Sequence, residues 1–194
     1  MSQELTQALW FASRATGLVS LLLLSATIIV GTGTSGRFAS PRWPRFAVVS
    51  LHRNLSLLAL AFLAVHIAGA VIDPYAGIRW ADTLVPFISV YQPFWLGLGA
   101  VCIDLTIAVV VTSLLRHRMP LRLWRAIHWA GYGVYPVAVA HGLGIGGVDT
   151  RLAWVLVWFT ACALAVGAAA WWRSAHRDHP DTLARDAAGA ELWR

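Results

Sequence analysis

Five long apolar runs, broken by short stretches rich in Pro, Gly and Arg, organise the 194-residue chain. A helix that crosses a bilayer needs about 20 mostly apolar residues. That measure predicts spanning helices over residues 10–31, 46–72, 91–115, 121–145 and 152–172. Between them lie TSGRFASPRWPR, DPYAGIRWADTLVP, RHRMP and GGVDTR, all with the composition of turns and loops. The expected architecture is all-α: an integral membrane bundle of five transmembrane helices forming one domain over residues 1–172. A polar tail, residues 173–194, is expected to be cytoplasmic. Neither an internal repeat nor a low-complexity tract interrupts the pattern.

Composition supports the membrane reading. Hydrophobic residues make up 58% of the chain, charged residues 12%, and mean hydropathy is +0.65. A soluble domain carries about 25% charged residues. Half that density cannot cover a water-facing surface, which excludes a soluble enzyme, a disordered regulator and a secreted disulfide scaffold. Cys102 and Cys162 sit inside apolar runs and form no CxxC or CxxCH, so they read as small core residues. The opening MSQELTQALW has no basic segment, and the run after it is too long for a signal peptide.

The net charge of +6 is carried by fifteen arginines without a single lysine. Their placement is a topology signal and not a nucleic-acid footprint. Twelve fall on one side: Arg37, Arg42, Arg45 and Arg53; Arg116, Arg118, Arg122 and Arg125; Arg173, Arg177, Arg185 and Arg194. Arg79 and Arg151 fall on the other, and Arg14 within the first helix. The arginine-rich side is expected to be cytoplasmic, with the N-terminus outside, in a bacterial-type cell membrane. Tryptophans form matching belts, with Trp10, Trp80, Trp95 and Trp154 outside and Trp43, Trp124, Trp171 and Trp172 inside.

Polar side chains inside a bilayer are costly and mark function. Four histidines stand out: His52 and His66 in the second helix, His128 and His141 in the fourth. Both helices run from inside to outside, so the four form an inner and an outer layer. His52 and His66 are about 21 Å apart along their helix and about 40° from exact alignment, hence on one face. His128 and His141 are about 19.5 Å apart but about 140° out of alignment. Pro136 lies between them, with Gly131 and Gly133 nearby, so a local adjustment is available. Two imidazoles at one depth suit the two axial positions of an iron porphyrin. With no CxxCH, the group is a non-covalent haem b, and two layers carry electrons across the bilayer. Gly131, Gly133, Gly69, Ala68 and Ala70 are candidates to admit a flat ring. Zinc is the other histidine reading, and it needs a third or fourth ligand close by.

The stretches LHRNLSLLALAFLAVH and LWRAIHWAGYGVYPVAVAHG resemble the haem helices of the ferric reductase-like transmembrane domain family. That family includes metalloreductases, NADPH oxidases and the haem subunit of a methionine sulfoxide reductase system. The unequal 14 and 13 spacings are part of the resemblance, which covers about residues 10–172. It implies two b haems, His52 pairing with His128 on the inner one and His66 with His141 on the outer one. Six spans are common in the family, and five are counted here. The 22 residues after Trp172 carry no Gly-rich nucleotide fingerprint. The electron donor is therefore expected to be a separate flavoprotein, a diffusible flavin or a quinol, with an acceptor at the outer face.

Three arginines join the candidate site. Arg14, in WFASRATG, needs an anion, which an outer haem propionate or an oxyanion acceptor supplies; snorkelling to headgroups is its other reading. Arg53 and Arg125, with Arg45, flank the inner layer and could pair with its propionates, or serve as positive-inside anchors. Asp104, near mid-bilayer, reads as a partner for a histidine's second nitrogen, as a proton relay, or as a packing residue. His117, His176 and His179 read as solvated. The expected activity is electron transfer by an oxidoreductase component. Its rivals are a quinol-coupled cytochrome b anchor of a dehydrogenase and a haem-free proton or metal transporter.

Overall fold

The structure is a computed structural model that describes residues 2–33 and 44–175. Six α-helices follow one another: α1 (Gln3–Gly33), α2 (Arg45–Ile72), α3 (Trp80–Leu84), α4 (Pro93–Leu114), α5 (Leu121–Ile145) and α6 (Ala153–Ala175). Two 3-10 turns, Arg116–Arg118 and Gly147–Arg151, join α4 to α5 and α5 to α6. The described residues contain no strand. Arg37, Arg42, Trp43, the two tail histidines and Arg177, Arg185 and Arg194 lie outside the described residues, as do the calls made on them.

Each predicted run is a helix, with ends set by local chemistry. Pro44 and Pro120 stand at the N-caps of α2 and α5 with extended backbone, and Pro93 opens α4. Proline suits these places because the first N–H groups of a helix have no intrahelical partner. α1 begins at Gln3, seven residues before the apolar run that predicts it. Its TM-length apolar stretch extends through exposed polar turns without a breaker.

Among the described residues, four helices are long and apolar enough to cross a membrane: α1, α2, α4 and α6. Their outward surface carries side chains that water would not tolerate in such number, among them Phe46, Leu57, Val65, Val111, Leu114, Val157 and Leu164. α5 occupies the expected residues but falls short on hydropathy, because it carries Arg122, Arg125, His128, Tyr132, Tyr135 and His141. Of the five expected spans, four meet the criterion by length and composition.

The helices pair as two antiparallel hairpins, α1 with α2 and α4 with α5. α6 closes on α1, and α1 also touches α5. The core is Leu21 and Ile28 of α1, Tyr135 of α5, and Val155, Phe159 and Val166 of α6. Apolar burial drives little helix association in lipid, so close packing and hydrogen bonds matter more. Gly142 lets Phe159 approach to where a Cβ would stand 2.7 Å from its ring. Trp158 Nε1–H donates to Leu18 O at 3.3 Å, and the Ser25 and Tyr135 hydroxyls are hydrogen bonded at 3.3 Å. Among the described residues, α2 and α5 do not pack closely as the hairpin partners do. The two histidine-bearing helices therefore face across a slot, each supported from behind by its own hairpin partner.

Candidate functional site: two histidine pairs in the slot

The four histidines meet two by two across this slot. His52 of α2 and His128 of α5 have ring centroids 6.3 Å apart with planes at 61°. His66 and His141 have centroids 6.4 Å apart with planes at 83°. Among the described residues no third His, Cys, Asp or Glu joins either pair to make a three-ligand group. Each pair thus offers two imidazole nitrogens and nothing else.

Three of the four rings are held in the same way. His66 Nδ1 is 2.7 Å from Ser13 O, His52 Nδ1 is 3.1 Å from Thr27 O, and His141 Nδ1 is 2.8 Å from Trp95 O. A carbonyl oxygen only accepts, so Nδ1 must carry the proton. Nε2 is then left with its lone pair, the tautomer a metal ligand requires. Ser13 returns the contact, its hydroxyl donating to His66 O at 3.1 Å.

Each anchoring carbonyl is followed four residues later by a glycine. A Cβ on Gly17 would stand 3.0 Å from the His66 ring, one on Gly31 3.2 Å from His52, and one on Gly99 2.7 Å from His141. Helical side chains lean toward the N-terminus, over the carbonyl one turn back. Glycine at that place opens the notch through which the imidazole reaches the backbone. These notch glycines are a different set from the glycines expected to admit a flat ring. A Cβ on Gly69 would meet Ser13, one on Gly131 only Val109 at 3.9 Å, and one on Gly133 nothing within 4 Å. The missed signal was in the sequence: Gly17 and Gly31 repeat the spacing of His52 and His66 on the neighbouring helix.

His128 is the exception. Its Nδ1 is buried without a hydrogen-bond partner among the described residues. Its ring instead stacks on Trp124, one turn back, at 4.9 Å and 23°. The Arg116 guanidinium lies 5.3 Å from the Trp124 ring centre. Trp124 Nε1 and Thr27 Oγ1, in the same layer, are also buried without partners among the described residues.

The arginines and Asp104 take up different positions. Arg14 finds an anion within the chain: its guanidinium is 2.7 Å from Asp149, donates to Gly146 O at 3.0 Å, and lies 4.2 Å from the Trp10 ring centre. The contact ties α1 to the end of α5 just beyond His141. Arg53 and Arg125 are exposed, next to His52 and one turn before His128 in the chain, and form no ion pair among the described residues. Asp104 is exposed and bonds to no histidine; backbone carbonyls have taken the role it was a candidate for. It is nine residues from Trp95, hence about 180° away around α4 from the residue that anchors His141. Cys162 is buried, and Cys102 Sγ lies 3.7 Å from Val134 O, as small packing residues do.

In the loop joining α2 to α4, Asp82 accepts from Arg79 Nη2 at 2.7 Å and from the Arg79 backbone N–H at 3.0 Å. The guanidinium and the backbone N–H hold the Asp82 carboxyl below the usual carboxylate range, and Asp82 holds the Arg79 guanidinium above its own. Phe87 (φ 68°) and Gln92 (φ 40°) turn the chain back to α4 through left-handed backbone. The Phe87 ring then lies against Gly97.

Fold and surface define a multi-pass helical membrane protein with paired histidines inside the bundle. The profile of ferric reductase like transmembrane components matches residues 16–139, and the chain belongs to that family. The matched stretch contains His52, His66 and His128 and stops two residues short of His141. No curated protein and no solved structure matches the chain.

Proposed function

We propose that the chain carries electrons across the membrane through two b haems, each held between a histidine of α2 and one of α5. The observation that carries this reading is the separation of the paired rings, 6.3 and 6.4 Å between centroids. A metal about 2 Å from each nitrogen, with each ring centre about 1.1 Å behind its nitrogen, sets centroids about 6 Å apart. Nδ1–H bonds to carbonyls leave the lone pair on Nε2 in three of the four rings. Two protein ligands also suit a porphyrin, which supplies the other four, better than zinc, which needs at least one more. The family's membrane domains generally bind haem.

α5 is then the fifth span. Its hydropathy is diluted by side chains that serve the slot and the core, not the lipid. The arginine-rich ends lie in the cytoplasm, so His52–His128 is the inner pair and His66–His141 the outer. The haems supply the redox chemistry when bound. The chain supplies axial nitrogens, a spacing of about 20 Å along the helices and a dry slot. Arg53 and Arg125 neutralise carboxylates at the inner level. Arg14 keeps N–H groups beyond those used by Asp149 for the outer level. A cytoplasmic flavoprotein, flavin or quinol gives the electrons, and an acceptor at the outer face takes them.

The deciding experiment is a reduced-minus-oxidised absorbance spectrum of the purified chain with haem counted per polypeptide. Two b haems per chain are expected, and a chain without a haem band overturns the reading. A reporter fused after Arg194 should work only in its cytoplasmic form; activity outside reverses the assigned direction of flow.

A further inference from the structure

We infer that His128 is a releasable ligand, so that the inner iron takes up a small diatomic molecule on the α5 side while the outer iron stays closed. The inference rests on the haem reading above and extends it from electron transfer to ligand binding.

The basis is one difference among four otherwise similar rings. His52, His66 and His141 each donate Nδ1–H to a helix carbonyl, at 3.1, 2.7 and 2.8 Å, through a glycine notch. Such a bond fixes the ring's rotation and makes the opposite nitrogen a stronger donor to metal. Losing a partner of this kind typically weakens metal binding about 10–100-fold. His128 Nδ1 has no partner among the described residues. Its chief restraint is the stack on Trp124, which sets the plane of the ring but supplies no acceptor.

The cause lies in the spacing along α5. His128 and His141 are 13 residues apart, about 140° out of alignment. His141 lies on the stripe that faces α4, with Val134, and takes an α4 carbonyl. His128 is seven residues from Tyr135 and about 20° from it around the helix. Tyr135 is buried against α1 and α6. His128 is therefore turned away from the α4 backbone that anchors His141. On α2 the spacing is 14, and both rings keep α1 behind them.

Release means that the bond from His128 Nε2 to ferrous iron opens and a neutral ligand, bound through its own lone pair, takes the place. No electron is gained or lost. The probe is carbon monoxide added to the dithionite-reduced full chain, read by the absorbance difference and by haem content. Carbon monoxide should bind one haem of two. It should still bind in the double variant His66→Ala/His141→Ala, which keeps the inner pair, and not in His52→Ala/His128→Ala. Trp124→Leu, made in the otherwise intact chain, should speed binding about two- to tenfold by removing the stack. Trp124→Phe, which keeps a stacking ring, should restore the original rate.

Binding at neither haem, at both haems, or at the outer haem alone overturns the inference while leaving the two-haem reading intact. So does a rate that Trp124→Leu leaves unchanged, a measurement that does not depend on the double variants folding. A chain that holds no haem overturns the reading beneath it instead.

Discussion

The His66–His141 and His52–His128 pairs, outer and inner in the proposed orientation, have nearly the same ring separation, 6.4 and 6.3 Å, and opposite surroundings. In the outer pair both rings are pinned, His66 to α1 and His141 to α4, and the ion pair of Arg14 with Asp149 stands close by. In the inner pair only His52 is pinned, by the longest of the three bonds. The three buried side-chain polar atoms without partners among the described residues, on Thr27, Trp124 and His128, all belong to the inner layer. The contrast teaches that matching a pair distance does not make two sites equivalent. Distance is set by where the two helices stand, and rigidity by what stands behind each ring.

The largest test of the comparison removes a whole layer. His66→Ala or His141→Ala should cost the outer haem alone, and His52→Ala or His128→Ala the inner one alone. Haem per chain should fall from about two to about one in each, since rings about 20 Å apart cannot share an iron. If His52→Ala and His128→Ala deplete different haems, the pairing is wrong.

Filling the notches should sharpen it. Gly99→Ala places a Cβ 2.7 Å from the His141 ring, Gly17→Ala 3.0 Å from His66, and Gly31→Ala 3.2 Å from His52. Haem retention under chelating or displacing conditions should fall in that order, by up to about 10–100-fold for the tightest contact. Gly167→Ala, on α6, meets nothing within 4 Å and should retain haem fully, while gaining up to about 1 kcal/mol of helix propensity. Equal losses in all four variants would show a general packing defect.

A smaller effect is expected at the outer clamp. The Arg14 and Asp149 side chains are 34% and 32% exposed, so their pair is partly screened. Breaking it with Asp149→Asn should cost about 0.2–1 kcal/mol in thermal unfolding of the detergent-solubilised chain. The shift should appear in the outer haem's absorbance before the inner one's. Simultaneous loss at both would remove the clamp from the outer layer's account.

The smallest effect is a dependence on pH in the loop from α2 to α4. Asp82 is held below its ordinary carboxylate range by Arg79. A depressed pKa stabilises the fold above the unfolded value, near 4, and that contribution is lost as pH falls through the folded value. Amide protection over residues 79–85, measured against the intrinsic exchange rate at each pH, should be constant near neutral pH and fall only below about pH 4. The anchored histidines hold no part of this loop's ion pair, and their spectra should not follow it.

Much of this was legible in the sequence. Apolar runs of spanning length predicted all five long helices, α5 to the residue and α2 within one, because lipid forces every backbone group into a helix. The four histidines were legible because an imidazole inside an apolar run has no cheap explanation. Of the readings of Asp104 only that of a histidine's partner fails, because the side of α4 it faces depends on which neighbour α4 chooses. Arg14 announced a need for an anion, read as a haem propionate or an oxyanion acceptor; the partner found is Asp149, which lies far along the chain and meets Arg14 only through the turn after α5.

The sequence by itself determined the helices, their fitness for a membrane and the spacing of four imidazoles along them, since each follows from local composition and a rise of about 1.5 Å per residue. Only the tertiary structure decided what lies behind each ring. That depends on the azimuth of a helix against its neighbours, which no single helix contains. One residue of difference between spacings of 14 and 13 turns a helix by about 100°. On α2 both histidines keep the α1 carbonyls, and on α5 His141 takes one from α4 while His128 takes none.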